Sequence, residues 1–272
     1  MKRLLLPALL AAVAAIPAIS AIGEPAALTP KSFPLTGRLV LPYFEVDTID
    51  PNGDTVLFAV RNESIAPIDI DIEYYEIDTP VAPQHSERVT LAGKQIKPVN
   101  IRDVPNLEID PDGVKRGYVV IKQVSGNGVI AGDYFRVDRA DNFASGARLV
   151  NADPSSAADD RCSNLTFRFL RGGAFSGGTR IFYWLDTPTL PAPDTIAFSI
   201  YNEAGALVHT GTLPNIDRVA SSFNIETLLT GPAAALTAGA VEIQFSGGVL
   251  GHVAGSMSAS GLYSVGFEAG CR

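Results

Sequence analysis

The chain has 272 residues, of which 46% are hydrophobic, and its formal net charge is −8 at pH 7. Its lysines and arginines are scattered rather than gathered into a basic stripe, and a net negative surface repels nucleic acids and anionic lipids, so the composition argues against nucleic-acid binding. The 25 glycines and 19 prolines lie mostly between short β-branched runs. This pattern predicts an all-β chain with many turns, and the length fits two domains of roughly 100–150 residues each.

Residues 1–20 have the layout of a secretory signal peptide. Lys2 and Arg3 form a short positive start, residues 4–16 are apolar, and Ala18-Ile19-Ser20 is a small-x-small cleavage signal. The apolar run falls short of the ~20 residues that a membrane-spanning helix requires, and no later stretch is apolar enough to cross a bilayer. We therefore expect residues 21–34 to be an N-terminal linker. The mature protein is expected to be exported, to the periplasm, the cell surface or the extracellular space, without a transmembrane segment.

Strand patterns fill the first predicted unit, residues 35–150. Its first two strands, residues 38–46 and 55–60, flank the sequence Asp-Pro-Asn-Gly, which favours a tight reversal. The next strand begins at Ile68 with a strict alternation of isoleucine and acidic residues. Such an alternation places the isoleucines on the buried face of a sheet and the acidic side chains in solvent. Further strands are predicted at residues 89–91, 95–101, 118–124 and 129–137.

The turn between the first two strands is also the best candidate for a metal site. It brings together several oxygen-bearing side chains, namely Asp47, Asp50, Asn52 and Asp54. Oxygen ligands suit a hard cation, so calcium is the one cofactor that the sequence suggests. The helix–loop–helix calcium motif is absent, because Thr55 and Arg61 stand where that motif requires glycine and glutamate. A plain turn is the favoured interpretation.

A polar segment of small residues, 151–161, is predicted to link the first unit to a second unit, residues 162–272. The second unit opens with an alternating strand at residues 165–170. Residues 181–185, which include Trp184, are assigned to the position that residues 39–44 hold in the first unit. Later strands are predicted at residues 197–201, 207–211, 241–245, 249–254 and 263–267.

Three blocks of sequence recur in the same order, which predicts an internal duplication. Residues 54–63 return as residues 194–203, and residues 117–121 with Ala131-Gly132 return as residues 239–243 with Ala254-Gly255. The remaining block pairs Thr90-Leu91 and Asn100-Ile101 with Thr212-Leu213 and Asn224-Ile225. We therefore predict two tandem antiparallel β-sandwiches in which the repeated blocks occupy equivalent strands.

The order of these signatures also resembles a known group of modules. Asn-Glu-Ser at residues 62–64, the later Thr-Leu and Asn-Ile pairs, and Gly-Tyr-Val-Val-Ile at residues 117–121 are similar to immunoglobulin-like modules of uncharacterised exported bacterial proteins. The resemblance covers residues 35–267. It implies an immunoglobulin-like β-sandwich fold and carries no catalytic residue across.

The chain contains two cysteines, Cys162 and Cys271. In an exported protein an even number of cysteines favours a disulfide, and with two the connectivity is fixed. The bond would tie the start of the second unit to the end of the chain. Free thiols and a metal pair are the alternatives, although no further set of cysteine or histidine ligands accompanies the two residues.

No catalytic constellation emerges from the sequence. Residues 255–259, Gly-Ser-Met-Ser-Ala, lack the second glycine of a nucleophile elbow, and the three histidines are not paired with each other or with acidic residues at metal-ligand spacing. These features favour an exported, non-enzymatic structural, adhesive or binding protein whose partner is a protein or glycan at the cell surface. The alternatives are a carbohydrate-binding accessory protein, in which Trp184 or Tyr74-Tyr75 would stack on sugar rings, and a secreted hydrolase.

Overall fold

The computed structural model consists almost entirely of β-strands. It describes residues 36–77, 82–126, 128–138, 143–172, 178–187, 195–214, 218–259 and 263–272, so the predicted signal peptide and N-terminal linker lie outside the described residues. The regular structure of this part of the chain comprises 18 strands and four single-turn 3-10 helices, at Ile101–Asp103, Ile225–Thr227, Gly231–Ala233 and Ser246–Gly248. No helix within the described ranges is long and apolar enough to cross a membrane.

The first nine strands form two antiparallel sheets, which together make the first sandwich. These strands are β1 (Arg38–Asp47), β2 (Thr55–Asn62), β3 (Ile68–Glu76), β4 (His85–Leu91), β5 (Ile96–Asn100), β6 (Val114–Ser125), β7 (Ile130–Asp138), β8 (Phe143–Arg148) and β9 (Val150–Asn151). One sheet has the strand order β4-β3-β6-β1-β9 and the other has the order β5-β2-β7-β8.

The last nine strands form a second pair of antiparallel sheets, which make the second sandwich. They are β10 (Asn164–Leu170), β11 (Gly178–Leu185), β12 (Thr195–Tyr201), β13 (Leu207–Pro214), β14 (Ala220–Asn224), β15 (Ala238–Phe245), β16 (Gly251–Ala259), β17 (Tyr263–Glu268) and β18 (Gly270–Cys271). Their orders are β13-β12-β15-β10-β18 and β14-β11-β16-β17.

The second sandwich repeats the topology of the first. Adding nine to every strand number converts the orders of the first pair of sheets into those of the second, so β1 corresponds to β10, β2 to β11 and β9 to β18. The strand register then identifies equivalent residues. Phe44 of β1 lies opposite Gly117 of β6, just as Phe169 of β10 lies opposite Gly239 of β15, so Phe44 corresponds to Phe169 and Gly117 to Gly239. The predicted fold of two antiparallel β-sandwiches related by duplication is therefore confirmed.

Two of the three repeated blocks occupy equivalent strands, as predicted. The Thr-Leu pairs lie in β4 and β13, and each Asn-Ile pair ends a strand and begins a 3-10 helix. Residues 117–121 and 239–243 lie in β6 and β15. The glycine that opens this block recurs for a physical reason, because a Cβ atom would collide with the carbonyl oxygen of Tyr75 at Gly117 and with that of Tyr201 at Gly239.

The correspondence predicted from the remaining block is wrong. Residues 54–63 contain β2, whereas residues 194–203 contain β12, which is the counterpart of β3. The assignment of residues 181–185 to the position of residues 39–44 fails for the same reason, because β11 corresponds to β2 and not to β1. All these segments are apolar strands, and their residue pattern does not reveal which place in the sheet a strand takes.

Each sandwich has its own hydrophobic core between its two sheets. Phe44, Phe58 and Tyr74 are among the largest side chains of the first core. Phe169 and Phe245 hold that role in the second core. In β1 and β11, however, the side chains that point away from these cores are buried as well, which is unusual for a sheet with one face in solvent.

These outward side chains form a shared core between the two sandwiches, which belong to one compact unit, Pro34–Arg272. The outer face of sheet β4-β3-β6-β1-β9, here called the buried face, packs against the outer face of sheet β14-β11-β16-β17. Tyr43 stacks on Phe182 with the ring centroids 5.6 Å apart, and Tyr118 contacts Trp184 at 6.5 Å. The other members are Val40, Ile77, Val120, Val150, Ala152, Val219 and Ala220.

Ion pairs surround the shared core. Asp186, directly after β11, pairs with Arg38 at 2.9 Å and also with Arg161. Glu45 on β1 pairs with Arg180 of the second sandwich and with Arg116 at 3.3 Å. Burial would raise the pKa of both carboxyl groups, but the neighbouring guanidinium groups outweigh it and hold each pKa below its ordinary value.

Candidate binding groove

A groove of about 970 Å³ lies on the outer face of sheet β13-β12-β15-β10-β18. We call this surface the open face, because it is the counterpart of the buried face of the first sandwich. Side chains from β10, β12, β15 and β18, from the turn after β12 and from β16 line the groove. All but the turn are strands of a packed sandwich, so the sheets hold the lining residues in fixed positions.

The floor of the groove is formed by small side chains. Ala240 on β15 lies opposite Tyr201 on β12 and opposite Arg168 on β10. Neighbouring strands lie about 4.8 Å apart, so the strands that carry Tyr201 and Arg168 are about 10 Å apart, with a methyl group between them. The result is a trough with an aromatic wall and a cationic wall.

The next position on β15 is polar. Glu242 accepts a hydrogen bond from the hydroxyl of Tyr201 at 3.1 Å and forms an ion pair with Arg272. The hydrogen bond with Tyr201 and the negative charge of Glu242 raise the pKa of Arg272 above its ordinary value. This network fixes the orientation of the tyrosine ring along one wall.

Arg168, on the opposite wall, has no such partner. It is exposed, and its guanidinium forms no hydrogen bond or ion pair with any residue in the described ranges. An arginine presents five N–H donors in a fixed planar arrangement. Arg168 can therefore donate hydrogen bonds to a ligand in the trough without first breaking a contact within the protein.

The aromatic residues predicted to stack on sugars lie elsewhere. Trp184 is 1% exposed and Tyr74 is fully buried. Tyr75 stacks on Tyr118 in the shared core, with centroids 4.9 Å apart and an interplanar angle of 4°. Trp184 therefore packs between the sandwiches and offers no face to a sugar in solvent.

The predicted calcium turn is organised by hydrogen bonds within the protein. The carboxylate of Asp47 accepts from the backbone N–H groups of Ile49 and Asp50, and that of Asp50 accepts from Asn52 N–H. The guanidinium of Arg102 donates to the carbonyl oxygens of Asp50, Gly53 and Asp54 at 2.7–3.0 Å. A cationic side chain thus already binds the carbonyl oxygens of this loop. Calcium binding here stays a prediction, and the described residues contain no cluster of three or more His, Cys, Asp or Glu suited to a metal.

The predicted disulfide is confirmed. Cys162 and Cys271 are bonded, with a Cα–Cα distance of 5.7 Å. Cys271 lies in β18, which pairs with β10 at the side of the groove. The bond therefore anchors the last strand, and with it Arg272, to the start of the second sandwich.

The histidines do not meet a serine or a carboxylate in a catalytic arrangement within the described part of the chain. His85 contacts the ring of Tyr74, and His209 lies 3.1 Å from the hydroxyl of Thr230. His252 is 4% exposed on β16, where it hydrogen-bonds with the backbone of Asp160 and its Nδ1 has no partner. Burial lowers the pKa of His252 below its ordinary value.

The sequence analysis missed the groove residues Arg168, Tyr201, Glu242 and Arg272. A signal for them was present in the repeated block Gly-Tyr-Val-Val-Ile, which returns as Gly-Ala-Val-Glu-Ile. The two positions that differ in character are those that point outward, Tyr118 against Ala240 and Val120 against Glu242. A loss of apolar bulk on one face of one copy indicates that this face no longer packs as its counterpart does.

Comparison with known proteins adds little to this geometry. No family model matches the chain, and no curated protein matches it. Among solved structures, a β-glucuronidase from glycoside hydrolase family 2 shows 10% sequence identity and a TM-score of 0.16, over 86% of this chain and 24% of that chain. The chain thus spans about a quarter of the length of that enzyme, and a similarity this weak transfers neither activity nor residues.

Proposed function

We propose that the protein is an exported, non-enzymatic binding protein that presents the groove of its second sandwich to a partner at the cell surface. The observation that carries this proposal is the open face itself. It is a groove on rigid strands, it holds an aromatic ring and an unpartnered arginine, and its counterpart in the same chain is a face that buries an extensive contact. A structural or an adhesive role for the protein would use the same surface.

The electrostatics of the groove support binding rather than catalysis. Glu242 is its central carboxylate, and this group is held by Tyr201 and Arg272 rather than placed against a second acid or a histidine. General acid–base catalysis needs a group positioned to exchange a proton with the substrate. A carboxylate paired with arginine is suited to fixing neighbouring side chains in place.

The first sandwich acts as the support of the groove. The shared core joins it to the second sandwich through aromatic contacts and ion pairs on both sides. Export is favoured by the predicted signal peptide and is consistent with the disulfide, since such bonds persist in oxidising compartments.

Co-sedimentation with bacterial cell envelopes tests the proposal. We expect the mature protein to sediment with envelopes, and the variant Ala240→Tyr, which fills the floor of the groove, to remain in the supernatant. Phe135→Ala is the matched control, because Phe135 is a 53% exposed aromatic residue on sheet β5-β2-β7-β8 of the first sandwich. Equal sedimentation of all three proteins, or none by the wild type, would contradict the role of the groove. Turnover of glycoside or ester substrates would contradict the non-enzymatic assignment.

A further inference from the structure

Tyr75 in the first sandwich and Tyr201 in the second are equivalent, but the residues opposite them on the neighbouring strand differ. Tyr75 on β3 lies opposite Tyr118 on β6, and Tyr201 on β12 lies opposite Ala240 on β15. In the first sandwich the ring of Tyr118 stacks flat on Tyr75, with centroids 4.9 Å apart. In the second sandwich the stacking position next to Tyr201 holds only the methyl group of alanine.

The orientation of the two tyrosines is comparable. The hydroxyl of Tyr75 donates to Glu73, and that of Tyr201 donates to Glu242, which lies opposite Ser199. Glu73 and Ser199 each precede their tyrosine by two positions, so both rings lean toward the start of their strand. No aromatic ring of the described residues stacks on Tyr201. The ring therefore leaves room for a flat group of about the size that Tyr118 occupies in the first sandwich.

We infer that this space is a subsite for a sugar ring, stacked on Tyr201 over Ala240 and held from the opposite wall by Arg168. The inference rests on the binding role proposed for the groove and names the class of its ligand. A pyranose has an apolar face of C–H groups that packs against an aromatic ring, and hydroxyls at its rim that need hydrogen-bond partners.

The polar groups around the space match those needs. Arg168 lies about two strand spacings, or roughly 10 Å, from the strand of Tyr201, with its donors unused. Glu242 and Asn202, which also line the groove, add an acceptor and an amide group. An aromatic side chain of a protein partner would fill the same slot, but it would leave the free guanidinium of Arg168 facing an apolar ring edge. The pairing of an aromatic wall with an unpartnered polar wall favours a sugar.

The test uses the mature disulfide-bonded protein and a panel of short neutral and uronic-acid-containing oligosaccharides, screened by ligand-observed NMR and quantified by calorimetry. We expect at least one pyranose oligosaccharide to bind. Ala240→Tyr should weaken that binding by about tenfold or more, because the new ring takes the position that Tyr118 takes in the first sandwich. Tyr201→Ala and Arg168→Ala should weaken it similarly, and Tyr201→Phe, which keeps the ring but loses the hydrogen bond to Glu242, should weaken it less. Phe135→Ala, on the first sandwich, should bind as the wild type does.

Far-UV circular dichroism and melting curves confirm that each variant folds. Preference for acidic oligosaccharides would show that Arg168 donates to a carboxylate of the ligand. Preference for neutral oligosaccharides would show that it donates to hydroxyls. The inference is overturned if no oligosaccharide binds, or if Ala240→Tyr binds as tightly as the wild type. If envelope binding still depends on Ala240 in that case, the groove keeps its binding role and only the sugar assignment fails.

Discussion

The buried face of the first sandwich and the open face of the second are equivalent surfaces, but the buried face packs in the shared core and the open face carries the groove. Tyr118 and Val120 on the buried face correspond to Ala240 and Glu242 on the open face. The partner surfaces differ in the same sense, since Trp184 in the shared core corresponds to Arg61 on sheet β5-β2-β7-β8. The molecule thus has two copies of each surface, and at these positions the large apolar side chains stand where the two sandwiches meet.

This difference disfavours a second contact of the same kind between molecules. A contact between unlike surfaces can continue from molecule to molecule and form an open filament. A second molecule packed on the open face as the sandwiches pack would bury Glu242 of one molecule and Arg61 of its neighbour, and both residues already have partners. Burial of charged groups is costly unless their pairing is retained. The open face is thereby left free for a different ligand.

The largest expected difference between the two faces lies at the centre of the shared core. We expect Trp184→Ala to lower the free energy of unfolding by about 3–5 kcal/mol, because a fully buried indole is replaced by a cavity. Tyr201→Ala, which removes a half-buried ring from the open face, should cost less than about 1 kcal/mol. Urea denaturation followed by far-UV circular dichroism measures both changes. Similar losses for the two variants would show that the two faces are not energetically distinct.

The last strand of each sandwich offers a second comparison. Asn151 in β9 and Cys271 in β18 are equivalent, since they lie opposite Leu39 and Leu165. The second sandwich fixes this position with a disulfide that spans 109 residues. The first fixes it with hydrogen bonds from the Asn151 side chain to Ser156 and to the backbone of Ala158, at 2.9 and 2.8 Å.

Replacing both cysteines by alanine should lower the free energy of unfolding by about 2–5 kcal/mol, because the unfolded chain regains the entropy that the bond removes. Asn151→Ala should cost about 1–3 kcal/mol, the range for losing a buried hydrogen-bonded amide. Melting curves of both variants beside the wild type decide the order. A smaller loss for the cysteine variant than for Asn151→Ala would mean that the covalent bond is not the stronger anchor.

The fold could be predicted from the sequence largely because a sheet has a period of two residues. The alternation at Ile68, Ile70 and Ile72 correctly identified a strand with one buried face. The sequence could not identify the shared core, because a run such as residues 181–185 is apolar at every position and is compatible with several places in a sheet. The wrong pairing of residues 54–63 with residues 194–203 has the same origin. It assigned Tyr201 to the wrong strand and so hid its equivalence to Tyr75.

The groove was less accessible to sequence reasoning than the fold. Its residues come from strands that are distant along the chain, and what marks the site is the small side chain of Ala240 beside Tyr201. The repeated block shows that alanine replaces tyrosine, but the position of that alanine beside Tyr201 becomes visible only when both sandwiches are aligned by their strand register. The disulfide could be predicted, because a chain with two cysteines allows one intramolecular pairing.

The smallest expected effect concerns the pH dependence of the junction between the sandwiches. His252 lies beside Trp184 across the strand pair β11 and β16, and its register counterpart in the first sandwich is Ala131 on β7. Burial lowers the pKa of His252 below its ordinary value of 6.5, although the charges of Glu268 and Asp160 oppose this effect and that of Arg148 adds to it. The neutral imidazole is therefore the form that the folded protein accommodates.

The sign of the effect follows from this lowered pKa. Above pH 6.5 the imidazole is neutral in both the folded and the unfolded chain, so its contribution to stability is fully present. As the pH falls below that value, the unfolded chain takes up a proton first, and stability decreases by up to about 1.4 kcal/mol per pH unit until the folded pKa is reached. Glu45 and Asp186, whose pKa values are also lowered, contribute a further loss only below their ordinary values of 4.5 and 3.8.

Replacing His252 by valine, which cannot take up a proton, separates these two steps. We expect urea midpoints of the wild type to fall as the pH is lowered from about 7 to about 5, the interval in which an unfolded histidine titrates. The His252→Val variant should show a flat profile over that interval and the same acid loss as the wild type at lower pH. The readout is the difference between the two proteins in the slope of urea midpoint against pH. A loss of stability that is constant with pH, such as that from the smaller valine side chain, does not affect this difference. Parallel profiles of the two proteins would assign the neutral-to-acid dependence to groups other than His252.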